Sequence, residues 1–99
     1  MKVVWTARAG SRLQDILEYI AKDQPVNAEK WVDQLIERGD SLSEYPSRGR
    51  MVPEYQDPAI REVFEGDYRI IYWLLVSRVD ILTVLHGSIP LPVRLNDLK

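Results

Sequence analysis

The chain has 99 residues, of which 45% are apolar and 28% charged, and a formal net charge of −2. That length suits one domain with a modest core, and the slight acidity argues against a protein that lives on nucleic acid, where a basic field is usual. The lack of cysteine excludes a disulfide framework and a thiolate metal site.

Val3, Val4, Trp5 and Thr6 form a β-rich run, the expected first strand. Residues 1–5 have no signal-peptide layout, and no apolar run nears the roughly 20 residues of a membrane helix, so the expected compartment is the cytoplasm. Leu13, Ile16, Leu17 and Ile20 then recur at helical spacing, with Arg8, Arg12, Gln14, Asp15 and Glu18 on the wet side. Asp23, Gln24 and Pro25 break this helix, and Pro25 suits the first position of the next. Ala28, Trp31, Val32, Leu35, Ile36 and Leu42 carry a second stripe to about Glu44, where Pro46 stops it. The short break predicts an antiparallel helical hairpin.

Residues 46–50 read as a loop. Pro53 and Pro58 make residues 51–58 extended but irregular. Ile60 to Glu65 is a strand, Gly66-Asp67 a two-residue hairpin turn, and residues 68–76 the next strand. Ser77-Arg78 is taken as a second tight turn, leading into a last strand that ends near His86. Pro90 and Pro92 close the sheet, and residues 91–99 form a tail without a clear pattern. The order β-α-α-β-β-β describes one α+β domain over residues 1–99, a helical hairpin on one face of a mostly antiparallel sheet.

Two-residue turns fix a register. Glu65 opposes Tyr68, Phe64 faces Arg69, and Arg69 faces His86. One face then carries Glu62, Ile71 and Val84, with Ile60, Trp73 and Leu82. The other carries Val63, Ile70, Leu85, Arg61, Tyr72, Thr83, Leu74 and Ile81, and is the better candidate to lie under the helices. A one-residue slip would exchange the faces of a strand. Two helices cover only one face, so the apolar end of the other predicts a binding surface. Its partner-facing residues are Trp73, Arg69, Phe64, Ile60, Leu82 and His86.

The element order, the strand Tyr68-Arg69-Ile70-Ile71-Tyr72 and the strand from Ile81 to Gly87 resemble the ParE/RelE toxin superfamily, as do Gly49-Arg50, Pro53-Glu54 and Arg61-Glu62. The resemblance implies a small cytoplasmic toxin of a bacterial type II toxin–antitoxin system, held inactive by an antitoxin that wraps its surface. RelE-like members cut messenger RNA in the ribosome, whereas ParE-like members poison DNA gyrase. The nuclease branch places basic residues near Ile60 and Glu62, keeps the arginine matching Arg69, and has another arginine near Ile89. Many of its members carry a tyrosine or histidine in the C-terminal segment, where residues 91–99 have neither.

The resemblance therefore favours the ParE-like branch, with gyrase as target, no cofactor and no metal. A ribonuclease would have to use Glu62 as base, His86 as acid and Arg69 on the phosphate. A degenerate toxin that only binds its antitoxin is the third reading. The plainer roles are a strand-end hydrogen bond for His86, a pair with Glu62 or a stack on Phe64 for Arg69, core positions for Trp5 and Trp31, and solvated loop charges for Arg48 and Arg50.

Overall fold

One hydroxyl sets the entry to the helical layer. Thr6 follows strand β1 (Lys2–Trp5) and caps helix α1 (Ala7–Asp23), its Oγ1 accepting from the Ala9 amide at 3.2 Å. The same oxygen donates to the Ile81 carbonyl at 2.7 Å, tying the helix start to the sheet. The computed structural model describes residues 1–99. Helix α2 (Ala28–Asp40) follows, then a 3₁₀ turn (Ser41–Ser43), β2 (Arg50–Met51), β3 (Ile60–Glu65), β4 (Tyr68–Leu74), β5 (Arg78–His86) and a last 3₁₀ turn (Leu95–Asp97). Pro25 does not open α2 as expected. The Asn27 amide closes a turn onto Gln24 O at 3.1 Å, which delays the helix to Ala28.

The five strands form one sheet in the order β1-β5-β4-β3-β2. β1 runs parallel to β5, and the other pairs are antiparallel. β3 and β4 pair as their turn dictates, from Glu65–Tyr68 to Ile60–Trp73. Gly66 supplies the turn's positive φ of 56°, a conformation that costs glycine little.

The second turn differs from expectation. Leu74 pairs with Val79, so the loop is longer than Ser77-Arg78, and it closes through Leu75 N–H to Arg78 O at 3.0 Å. A bulge then adds Leu82 between the pairs Ile71–Thr83 and Tyr72–Ile81. Arg69 consequently faces Leu85, and Tyr68 faces His86. The expected Arg69–His86 pair is corrected: the two side chains lie on opposite faces of the sheet. Leu85 moves to the face away from the helices, and Val84 moves beneath them.

Two cores result. Under the helices, Ala9, Ile16, Val32, Leu35 and Leu42 pack on Val63, Ile70, Tyr72, Val79, Ile81 and Val84. Each fully buried Ile or Val contributes about 1.5–3 kcal/mol. On the other face, Val52, Ile60, Ile71, Leu82, Leu85, Leu91 and Leu98 form a second cluster, with Tyr55, Trp73 and Leu95 against it. The chain thus covers its own second face. Residues 52–59 and 91–99 form the cover; Tyr55 OH donating to Pro92 O at 2.8 Å joins the two segments, and Arg8 Nη1 donating to Asp97 O at 2.5 Å ties the second to α1. Trp5 packs against the first core, but Trp31 is 46% exposed, contrary to its expected core role.

Candidate functional site

The expected nuclease residues separate into two places. Arg69 stands mid-sheet on β4, almost wholly buried. Its Nε donates to Glu62 Oε1 at 2.6 Å, and its Nη1 and Nη2 donate to the two oxygens of Glu54 at 2.8 and 2.9 Å. Glu62 is equally buried, and its second oxygen accepts from Arg50 Nε at 2.8 Å. Hydrogen bonds from Arg69 hold the Glu54 carboxyl below the usual carboxylate range. Glu54 and then Glu62 in turn push the guanidinium further up, against the opposing effect of burial. Both carboxylates and Arg69 are therefore committed to one another, with Arg50 tied in from the exposed side through its Nε alone. Arg69 has no fork free for a phosphate, and each oxygen of Glu62 already accepts from an arginine.

His86 lies elsewhere. Its ring meets Tyr68 edge-on at 5.5 Å, and its Nδ1 accepts from the Ser88 amide at 3.1 Å. Thus Arg69 and Glu62 come together, as the plainer reading expected, and His86 does not join them.

Of the expected partner-facing residues, Ile60 and Leu82 are buried inside the second core and Arg69 is inside the ionic cluster. Trp73 is half-buried, with Lys99 Nζ 4.0 Å from its ring centroid. Phe64 remains exposed and His86 partly so. The expectation that this face waits for a partner is corrected, because the chain's own segments reach it first.

The free surface is at a strand edge. β1 pairs only with Arg78–Ile81 of β5, so Leu82–His86 have no strand neighbour on that side. Beside this edge lies a groove of about 940 Å³ between α1, β5 and the tail. Tyr19, Thr83, His86, Ile89 and Leu91 are among its walls. Tyr19 and Ile89 are 63% and 51% exposed. At the opposite edge the backbone of β3 is closed to an added strand, since β2 pairs with Arg61 and Glu62 while Arg38 Nε donates to Phe64 O at 3.1 Å. Sequence reasoning missed Glu54 and this groove. Tyr19 on the wet side of α1 was the available signal for the groove; an exposed aromatic beside charges marks a contact surface.

The fold is that of the small α+β toxins. A solved structure described as a chromosomal ParDE TA system from P. aeruginosa superimposes with a TM-score of 0.75 over 87% of this chain and 95% of that one, at 20% identity. A family model, the ParE toxin of type II toxin-antitoxin system, parDE, matches residues 3–90, and the chain belongs to that family. Toxin RelE2 of Caulobacter vibrioides is 35% identical over 88% of this chain and 96% of its own length. The protein Y4kP of Sinorhizobium fredii is 38% identical over 87% and 88% respectively.

Proposed function

We propose that this toxin acts on DNA gyrase without cutting RNA and is neutralised by a cognate antitoxin. The observation that carries the reading is the occupancy of Arg69. The one basic residue kept from the nuclease pattern is held by Glu54 and Glu62, and His86 lies on the other sheet face. A phosphate reaching Arg69 would first have to displace the bidentate Glu54, and it would still lack an acid–base pair.

In this reading the antitoxin docks in the groove between α1 and β5. The unpaired edge of β5 suits an added extended segment, with the exposed Tyr19 and Ile89 as side-chain contacts. Tyr19→Ala should weaken antitoxin binding by more than about 1 kcal/mol if that ring is an anchor.

The name of the Caulobacter relative, Toxin RelE2, favours a second reading as a ribosome-dependent ribonuclease. The deciding experiment compares gyrase supercoiling with cleavage of ribosome-bound message, using the purified chain. Supercoiling should be blocked and the message left intact. Cleaved message would overturn the proposal, and inactivity in both assays would leave antitoxin binding as the chain's sole role.

A further inference from the structure

Arg38, Arg48, Arg50 and Arg61 converge at the sheet edge opposite the groove, around the turn at Gly49. A continuous line of contacts joins them. Arg61 Nη1 donates to Gly49 O at 2.8 Å. Arg48 Nη1 donates to Ser41 Oγ at 3.2 Å, and Ser41 Oγ donates to Arg38 O at 2.6 Å. Arg38 Nε donates to Phe64 O, and the Arg50 guanidinium lies 5.2 Å from the Phe64 ring centroid. Gly49 makes the assembly possible: a Cβ there would lie 2.6 Å from both Glu62 O and the Tyr72 hydroxyl, so only glycine lets the turn sit this deep.

Three of these four arginines form no ion pair. Arg50 pairs with Glu62. Arg38, Arg48 and Arg61 are held by a carbonyl, a hydroxyl and a carbonyl, and none forms an ion pair. Neutral acceptors orient a guanidinium without cancelling its charge. Arg61 is partly buried and its Nε, shielded from solvent, has no partner, so nothing within the chain neutralises its charge. Exposed aromatics flank the arginines: Phe64 on one side, and on the other Tyr45, whose ring centroid is 5.3 Å from the Arg48 guanidinium.

We infer that this arginine cluster is a second docking surface, distinct from the groove, for an acidic polypeptide segment. Guanidinium forks match carboxylates bidentately, and the aromatic rings accept the apolar parts of such a segment. The surrounding charge selects against a nucleic acid. Glu37 and Glu65 stand beside Arg38 and Arg48, and the whole chain carries −2. A uniformly charged polymer would meet those carboxylates, whereas a peptide can space its own charges to avoid them. Because the cluster and the groove lie at opposite edges of the sheet, both can be filled at once.

The test is an NMR titration of the full chain, observing the arginine Nε–H signals, with a short peptide of alternating Glu and Gly. A Gln–Gly peptide and a DNA duplex are the comparisons. The signals of Arg38, Arg48 and Arg61 should move with the Glu peptide alone, and affinity should fall by about threefold to tenfold between about 50 and about 200 mM salt. The double variant Arg38→Gln/Arg48→Gln should lose about tenfold or more in affinity with its backbone spectrum otherwise intact. Arg78→Gln, which removes a charge paired with Asp80 elsewhere, should not. Equal response to the Gln peptide, equal loss in Arg78→Gln, no response at all, or tighter binding of the duplex would each overturn the inference.

Discussion

Beneath α1 and α2 the sheet packs on apolar side chains, whereas its other face is closed by two irregular segments beside a buried ionic cluster. The helical side is a layer in which many similar contacts share the burial. The other side depends on particular ties: Glu54 to Arg69, Tyr55 to Pro92, and Arg8 to Asp97. The contrast explains how a chain with only two helices closes a sheet that is apolar on both faces. It also explains why the surface left for partners lies at the sheet edges and not across its second face.

The largest effect expected from breaking this contrast is at Arg69. Arg69→Ala removes one partner of a buried pair and leaves Glu62 with Arg50 alone, at a cost of about 3–5 kcal/mol in urea unfolding. Combining Glu62→Leu with Arg69→Met should recover most of that loss, since the apolar pair needs no counter-charge. A double variant as unstable as Arg69→Ala would show that the ionic cluster holds the second face in a way apolar packing cannot replace.

Next in size is the tail. Leu98 is as buried as Leu35 under the helices, so Leu98→Ala and Leu35→Ala should each cost about 2–4 kcal/mol. A cost below about 0.5 kcal/mol for Leu98→Ala would mean that the tail lies on the face without belonging to the core. Deleting residues 91–99 should also red-shift the fluorescence contributed by Trp73, which packs against the second cluster and has Lys99 Nζ over its ring.

Thr6→Ala should cost about 1 kcal/mol through loss of the helix cap, read from the thermal midpoint. Its second bond, to Ile81, should push the loss above that of an ordinary cap.

The smallest effect is acid sensitivity on the second face. The Glu54 carboxyl is held below its unfolded value by Arg69, so the folded state binds its proton less readily than the unfolded one. Its stabilisation is present above the unfolded carboxylate range and is lost as pH falls through the lower folded value. Glu54→Gln should therefore flatten the acid limb of the stability profile and leave the neutral-to-basic limb with its original slope. An unchanged acid limb would remove Glu54 from the ties that hold this face.

Local pattern was enough for the helical layer and for one hairpin. The stripe of Leu13, Ile16, Leu17 and Ile20 needs only helical periodicity, and the pairing of β3 with β4 needs only the backbone freedom of Gly66. Family membership was legible too, because the order of elements and the Tyr68-Arg69 strand survive without any tertiary information. The β4–β5 register was not legible. The extra residue at Leu82 satisfies packing on both faces at once, and no local preference marks it. The cover of the second face was equally hidden, because residues 52–59 and 91–99 have no periodicity and are placed by long-range ties. The charge state of the site was decided the same way. Arg69 reads in sequence either as a phosphate ligand or as a partner of Glu62; only the fold brings Glu54 across as a second carboxylate, and that encounter occupies the guanidinium on both sides.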